Sequence, residues 1–229
     1  MTTNPWLDIP ADDYVGHMSH PAVNQRPVLN RLLHEALVSG RPRTLLVLGC
    51  STGNGLEHVD RAITERVTVV DINSSYLRRL ADQCPNPGYD LEIRCEDLND
   101  AVLERDAFEL VHAALLFEYV AWRPLIQRVA QTLRPGGVLN VVLQLPSTSS
   151  PAVTATQFTS LQALEPVFQF VDPDILSQAA ENAALALVLR RTEPLPSGKA
   201  FEVLRFVRKG VRNEGRRSSE ARFADGHGW

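Results

Sequence analysis

The sequence has few cysteines and no long apolar run, and both shortages restrict the kind of protein it can be. Its three cysteines, Cys50, Cys84 and Cys95, have neither the spacing of metal ligands nor the even number of a secreted disulfide framework. We therefore expect reduced thiols and a cytoplasmic protein. No stretch approaches the roughly eighteen apolar residues of a membrane helix, and Met1–Pro10 lacks a basic region followed by an apolar core. Neither a membrane span nor a secretion signal is predicted.

An excess of positive charge is also absent. The formal net charge is −4, which gives no broad electrostatic attraction for phosphate backbones. No nucleic-acid partner is therefore expected, and small molecules or proteins remain as substrates. No cluster of His, Asp and Glu has the spacing of metal ligands, so the sequence gives no support for a metal-dependent mechanism. The oligomeric state is not indicated.

What the chain does contain is enough apolar material for one large α/β domain. It has 229 residues, of which 44% are hydrophobic, and one core is sufficient at that size. We predict a single domain over residues 1–210 and a flexible tail over 211–229, where Arg, Glu, Ser and Gly alternate. Residues 1–26 are expected to drape over the domain ahead of the first regular helix.

The chain is organised around an apolar run that ends in a cluster of small residues. Thr44 to Leu48 has the unbroken aliphatic character of a central parallel strand covered on both faces. Gly49, Gly53 and Gly55 follow and allow sharp turns and a close approach of the backbone to a ligand. A helix is expected to begin at Asn54 and to direct its free N–H groups at the same point.

A second apolar run ends in an acid at the place where nucleotide-binding proteins hold a ribose. Val67 to Val70 is followed by Asp71, and an acid there accepts hydrogen bonds from ribose hydroxyls in βαβ units. A dinucleotide fingerprint needs a third glycine, but His58 occupies its position. The spacing therefore weakens the case for a bound pyrophosphate.

Further motifs follow in a fixed order. The glycine pattern of residues 49–55 is followed by Asp71, by an acid at the end of a third strand in residues 95–98, by the apolar stretch 108–120, and by a helix, a Pro-Gly-Gly turn and a strand around 133–139. This set resembles the class I S-adenosylmethionine-dependent methyltransferases, whose motif I has the same glycine spacing. The resemblance extends beyond the glycines and includes the order of all the strand ends.

The resemblance implies a fold and an activity. The fold is α/β, with a doubly wound, seven-stranded, mostly parallel sheet in the order 3-2-1-4-5-7-6 and a C-terminal antiparallel β-hairpin. The activity is methyl transfer from S-adenosyl-L-methionine to an acceptor that is a small molecule but is not identified by the sequence. Two other interpretations stay open. One is a methyltransferase-like binding protein without catalysis, since Val47 stands where many relatives carry an acid; the other is an NAD(P)-dependent oxidoreductase, which the glycine spacing disfavours.

The resemblance also implies where the cofactor binds. Asp71 is expected to hold the ribose and Asp97 the adenine amino group, with the ring between Ile72 and Leu98. Glu96 competes with Asp97 for this role, and the alternative is that both acids belong to a solvated loop. The expected cofactor residues are Gly49, Cys50, Ser51, Gly53, Asn54, Asp71, Ile72, Asn73, Asp97, Leu98 and Ala114.

Candidate catalytic residues come from two places. Glu118 and Tyr119 follow the fourth strand, at the edge where parallel sheets bind ligands, although Glu118 equally suits a structural cap or ion pair. Tyr14 and His17 belong to an expected N-terminal lid, with His17 as a proton acceptor; the alternative places Tyr14 at the core edge and His17 in solvent. His112, inside the fourth strand, is expected to be a satisfied interior residue. A methyl transfer depends mainly on positioning, so a general base is not required.

The region after the fifth strand is expected to shape the substrate pocket. Apolar spacing predicts a helix over residues 157–168, and the candidate lining residues are Phe158, Leu161, Phe168 and Phe170, with packing in the helix core as the alternative. Ser197–Lys199 lacks the glycine and the hydroxyl residue of a phosphate-binding loop. A hairpin turn is expected there instead.

Overall fold

The computed structural model describes residues 4–148 and 150–210, and its centre is a sheet of seven strands. The strands are β1 Thr44–Leu48, β2 Arg66–Asp71, β3 Asp90–Cys95, β4 Phe108–Ala114, β5 Leu133–Gln144, β6 Leu185–Pro194 and β7 Ala200–Arg208. Their order is β3-β2-β1-β4-β5-β7-β6. The first five pair in parallel, and β7 runs antiparallel between β5 and β6. The predicted α/β fold, strand order and terminal hairpin are confirmed.

Five α-helices lie in the described part of the chain, together with three short 3₁₀ segments. The helices are α1 Ala11–Ser19, α2 Arg26–Gly40, α3 Ser74–Gln83, α4 Trp122–Thr132 and α5 Pro173–Asn182, and the 3₁₀ segments are Pro5–Leu7, Leu56–His58 and Thr159–Val167. α5 begins where Asp172 accepts the free N–H groups of the next turn. Within the described residues, no helix combines the length and apolarity needed to cross a bilayer.

Side chains of β1 alternate between two separate cores. Leu45 and Val47 pack with α2 and α3 on one face of the sheet, whereas Leu46 and Leu48 pack with α4 and α5 on the other. All five residues of β1 are buried, which explains why the strand shows no polar alternation in the sequence. Burial of each such aliphatic side chain stabilises the fold by about 1.5–3 kcal/mol. Strong burial on both faces fixes the end of β1 and the turn that follows it.

Two predicted helices are replaced by short 3₁₀ segments. The helix expected from Asn54 is reduced to Leu56–His58, because Gly55 immediately before it has a φ of 96° that a continuing helix does not tolerate. The helix expected over 157–168 is a 3₁₀ segment, Thr159–Val167, that contains Pro166. Proline removes an N–H donor from a helix interior, so a regular α-helix is disfavoured there.

The N-terminal segment packs against the domain, so the prediction of a draped leader ahead of the first helix is wrong. It contains α1, and Ile9, Met18 and Val23 are buried. The Asn73 side chain holds the segment in place, since its Nδ2 donates to the carbonyl oxygens of Trp6 at 2.8 Å and Ile9 at 3.1 Å. The same side chain accepts the first N–H groups of α3 through its Oδ1. The tail predicted over 211–229 lies outside the described residues.

Candidate functional site

A cavity opens at the carboxyl ends of the parallel strands and extends to the start of β7, with about 1090 Å³ of space when its solvent-open mouth is included. Gly49 and Ser51 after β1, Asp71 at the end of β2 and Asp97 after β3 form one side of it. The N-terminal helices and the segment before α5 form the other. Parallel α/β sheets bind ligands at this edge, where the strand order reverses.

The turn after β1 brings the backbone to the cavity wall. Gly49 has a φ of 66° and Gly53 a φ of 82°, a region that side chains disfavour. A Cβ on Gly53 would also lie 2.9 Å from Leu80 Cγ, and one on Gly49 would lie 3.1 Å from Leu116 Cδ1. Glycine is therefore required at both positions. Gly49 and Ser51 line the cavity, whereas Gly53 supports the turn from behind.

The Asp71 carboxyl group is fixed at the cavity wall by the backbone. Oδ2 accepts from the Ser51 N–H at 2.8 Å and Oδ1 from the Asn73 N–H at 2.9 Å. Burial raises the pKa of Asp71, while these backbone hydrogen bonds lower it. A carboxylate has about four acceptor sites. The carboxylate therefore keeps acceptor capacity for the hydroxyl groups of a ligand.

The end of β3 presents two acids with different surroundings. Glu96 is engaged by Arg94, whose Nη2 lies 2.7 Å from Oε2 and whose Nε donates to Oε1 at 2.9 Å. This ion pair lowers the pKa of Glu96. Asp97 accepts only the Asn99 N–H on Oδ1 among the described residues. Since both acids line the cavity, Asp97 is the better acceptor for a ligand donor. Leu98 and Ile72 lie in the same wall.

Aromatic rings form the wall contributed by the N-terminal segment. The Trp6 ring centroid lies 5.0 Å from that of Tyr119 and 6.1 Å from that of Tyr14, and Tyr14 lies 5.1 Å from Tyr76. The neighbouring Ser51 side chain lowers the pKa of Tyr14, although burial has the larger effect. Burial raises the pKa of both Tyr14 and Tyr119, so these phenols stay protonated. The buried Tyr76 hydroxyl has no hydrogen-bond partner among the described residues, and a ligand can satisfy it.

His17 is buried in the cavity wall, so the alternative that places it in solvent is wrong. Its Nδ1 lies 2.9 Å from Thr156 Oγ1. Burial, and then the nearby charge of Lys199, lower the pKa of His17 to about 4. The imidazole is therefore neutral at physiological pH. It can accept a hydrogen bond or a proton from an acceptor, although a group with so low a pKa is a weak base.

Residues 45–137 match the family model described as a methyltransferase domain. This part of the chain is similar to a methyltransferase domain. Together with the strand order, this match confirms the resemblance to class I S-adenosylmethionine-dependent methyltransferases that the glycine turn and the strand-end acids predicted. A search of curated proteins finds no match.

Solved structures of similar fold include two methyltransferases and a cyclase. N-methyltransferase NodS from Bradyrhizobium japonicum WM9, in complex with S-adenosyl-L-homocysteine, has a TM-score of 0.61 and 19% identity over 80% of this chain and 87% of that chain. Geranyl diphosphate C-methyltransferase from Streptomyces coelicolor A3(2) has a TM-score of 0.61 and 13% identity over 76% and 74%. The [4+2]-cyclase SpnF has a TM-score of 0.62 and 14% identity over 79% and 80%. At these identities the likeness concerns the fold.

Glu118 lies behind the cavity, although the sequence placed it among the catalytic candidates. It is 1% exposed and does not line the cavity. Oε1 accepts the Gln144 backbone N–H at 2.7 Å, and Oε2 has no partner among the described residues. Burial raises the pKa of Glu118 to about 7. This side chain therefore does not reach a substrate in the cavity, and the alternative of a structural cap or ion pair describes it better.

Several other predicted residues also lie outside the cavity wall. Cys50 is buried in the core, and Asn54 donates to the Arg26 carbonyl. Asn73 anchors α3 and the N-terminal segment instead of facing a ligand. His112 is buried and hydrogen-bonded to Asn140 at 3.0 Å, and burial lowers its pKa to about 4. It is an interior residue, as expected. The predicted residues that do line the cavity are Tyr14, His17, Gly49, Ser51, Asp71, Ile72, Asp97, Leu98, Ala114 and Tyr119.

The sequence did not point to several residues of the cavity wall. Gln25 and Gln144 are joined by a 3.0 Å hydrogen bond across 119 positions of the chain, and no local pattern signals that pairing. Lys199 was expected only as part of a hairpin turn. Among the aromatic and aliphatic candidates, Leu161 and Phe168 line the cavity, whereas Phe158 and Phe170 do not. Within the described ranges, no group of three His, Cys, Asp or Glu side chains is arranged to hold a metal.

Proposed function

We propose that this protein transfers a methyl group from S-adenosyl-L-methionine to a small-molecule acceptor bound in the same cavity. The observation that carries the proposal is the Asp71 carboxyl group, which two backbone N–H groups fix at the cavity wall with acceptor sites left for hydroxyls. The match to a methyltransferase domain supports it. When bound, the cofactor supplies a methyl group on a positively charged sulfur.

The residues present fit this cofactor. Asp71 suits the ribose hydroxyls, and Asp97 suits the amino group of adenine because Oδ2 accepts no bond from the described residues. Ile72 and Leu98 offer apolar surfaces for the ring. The unsatisfied Tyr76 hydroxyl gives a further polar contact, and its satisfaction would remove a cost of about 1–3 kcal/mol.

The acceptor is proposed to bind beneath the N-terminal segment. The cavity is lined both by the ends of β1, β2 and β4 and by the N-terminal segment, so the cofactor and the acceptor can bind side by side in it. We assign α1 the role of a lid. Tyr14 on α1 and Tyr119 after β4 orient the acceptor, and His17 on α1 contacts its nucleophilic group. Positioning and exclusion of water are the chain's main contributions, since the transferred methyl group is already electrophilic.

Two alternatives differ from this proposal in their predictions. The strand order with an antiparallel β7 supports a methyltransferase fold over a dinucleotide-dependent oxidoreductase. A binding protein without catalysis would share the fold and the cofactor site, and a [4+2]-cyclase of similar fold shows that the fold is not limited to one reaction. Turnover therefore decides between them. A cytoplasmic location is proposed from the three free cysteines, and no nucleic-acid partner is proposed.

Calorimetric titration with S-adenosylmethionine, S-adenosylhomocysteine and NAD tests the cofactor assignment. We expect the two adenosyl compounds to bind and NAD not to bind. Asp71→Ala should weaken binding by about 1.5–3 kcal/mol, or roughly 10- to 150-fold, because charge-assisted hydrogen bonds to the ribose are lost. Asp82→Ala, on the exposed face of α3, is the matched control and should bind normally. Unchanged affinity in Asp71→Ala would contradict the assignment.

A further inference from the structure

The cavity contains a buried cation that the proposed reaction does not use. Lys199 lies at the start of β7, lines the cavity and is 3% exposed. Its Nζ donates to the Ala152 carbonyl at 2.9 Å. An ammonium group has three N–H donors, and no described residue accepts from the other two. Two donors are therefore available to a ligand.

No carboxylate among the described residues neutralises Lys199. Burial alone lowers its pKa, to about 8, without a contribution from an acid. Buried charges in proteins are usually paired, because an isolated ion loses its hydration without compensation. Among the described residues of the cavity wall, Lys199 is the single cationic side chain, since His17 is neutral. An anionic ligand group would supply the missing partner.

The neighbours of Lys199 add donors at the same point. Gln144 Nε2 donates to the same Ala152 carbonyl at 2.9 Å, so the Gln144 amide and the Lys199 ammonium lie side by side. Gln25 holds the Gln144 side chain through its own amide group. The pKa of His17 is lowered partly by the charge of Lys199, which places the imidazole in the same region. This end of the cavity is polar, in contrast to the aromatic wall.

Lys199 lies on the acceptor side of the cavity and away from the ribose site. Asp71 ends β2, whereas Lys199 begins β7, and the sheet order separates these strands by four strand spacings. At about 4.8 Å for each spacing, the two positions are roughly 19 Å apart. The Leu145 N–H donates to the Ala200 carbonyl at 2.9 Å, which holds the start of β7 beside the end of β5. The lysine therefore faces the space beyond the cofactor.

We propose that Lys199 binds a carboxylate of the methyl acceptor, so that the acceptor is a small carboxylate with an apolar or aromatic body. This inference rests on the proposed function and names its substrate class. A carboxylate fits better than a phosphate, because a single cation with a neighbouring amide is present and no arginine joins it in the described cavity wall. The aromatic wall of Trp6, Tyr14 and Tyr119 receives the body of the molecule.

Matched pairs of carboxylates and their amides test the proposal on protein saturated with S-adenosylhomocysteine. The probes are para-hydroxybenzoate with para-hydroxybenzamide, phenylacetate with phenylacetamide, and indole-acetate with indole-acetamide, measured by calorimetry. At least one carboxylate should bind roughly tenfold or more tightly than its amide. Lys199→Met should remove that preference. Lys199 and Lys209 are the two lysines of the sequence, and the exposed Lys209→Met, which should keep the preference, is the control.

Three results would overturn the proposal. One is that no carboxylate of the panel binds better than its amide. The second is a carboxylate preference that survives in Lys199→Met. The third is a loss of S-adenosylhomocysteine binding in Lys199→Met, which would assign the lysine to the cofactor. The variant should fold, because methionine fills the same volume without a buried charge, and circular dichroism checks this. If the adenosyl compounds fail to bind the intact protein, the proposed function fails, while the carboxylate preference is still measurable on the free protein.

Discussion

Glu118 should make the domain less stable as the pH rises through about 7. Its carboxyl group is buried, with Oε2 unpartnered among the described residues, and its pKa is raised from 4.5 to about 7. The folded state therefore favours the protonated form. The contribution of Glu118 to stability is fully present below its unfolded-state pKa near 4.5, and it is lost as the pH rises through its folded-state pKa near 7. Raising the pKa from 4.5 to about 7 corresponds to roughly 3 kcal/mol at pH 8.5.

The substitution Glu118→Gln isolates this effect. Glutamine keeps an oxygen that can accept the Gln144 N–H but does not ionise. Its amide N–H groups add a cost in stability that does not depend on pH. The informative quantity is therefore how the stability difference between variant and parent changes with pH, and not its absolute size. His17 and His112 titrate in both proteins and cancel in the difference. From pH 5 to 8.5, the stability of Glu118→Gln relative to the parent should rise by roughly 2.5 kcal/mol, or by roughly 5–10 °C in melting temperature.

Urea unfolding followed by circular dichroism at several pH values measures the difference. Glu165→Gln is the control, because Glu165 is exposed, and its difference from the parent should stay constant. A constant difference for Glu118→Gln as well would refute the reasoning, since it would mean that Glu118 ionises equally easily in the folded and unfolded protein. A stability advantage of Glu118→Gln over the parent that grows as the pH falls would have the wrong sign.

Two further predictions concern the turn and the lid. Gly53→Ala should destabilise the domain by about 1–3 kcal/mol through its left-handed backbone, plus a contact cost against Leu80, measured by thermal unfolding. Gly136 has a similar φ with open space around it, so Gly136→Ala is the control. Any greater loss of stability in Gly53→Ala measures the contact with Leu80. Equal losses of stability in the two variants would contradict that contact. The His17 imidazole should titrate near pH 4 in a nuclear magnetic resonance experiment, with the signal assigned by its absence in His17→Gln. The contribution of His17 to stability is fully present above pH 6.5 and is lost as the pH falls through about 4. Titration of the imidazole near pH 6.5 would disprove the burial of His17.

The parts of the fold that the sequence predicted are those where one strand carries its own signal. β1 is buried on both faces and leaves an unbroken aliphatic run, and β2 ends in an acid that the glycine turn contacts. These features are local in sequence and close in space. The helix α1 was missed, although Asp12 and Asp13 stand in its first turn directly after Pro10, a pattern that favours a helix start.

The parts that the sequence could not predict depend on contacts between distant segments. Lys199 follows a Pro-Ser-Gly turn that is typical of an exposed hairpin, but it is buried beside a distant loop, where the Ala152 carbonyl accepts its hydrogen bond. Glu118 is polar in an apolar turn and therefore suggests a ligand contact, but its side chain turns to the backbone of Gln144. Neither outcome is contained in the spacing of nearby residues. The cavity wall beyond the glycine turn is a product of tertiary packing.

Asn73 connects two parts of the structure that are otherwise separate, namely Asp71 and the N-terminal segment. Its backbone N–H donates to Asp71, and its amide group donates to the carbonyls of Trp6 and Ile9. Displacement of the N-terminal segment would free that amide and loosen the support of Asp71, to which we assign the ribose. Such coupling is reciprocal. If cofactor binding favours the closed position of the segment by some factor, closure of the segment raises the affinity for the cofactor by the same factor. A bound product that keeps the segment closed would therefore also slow the exchange of the cofactor.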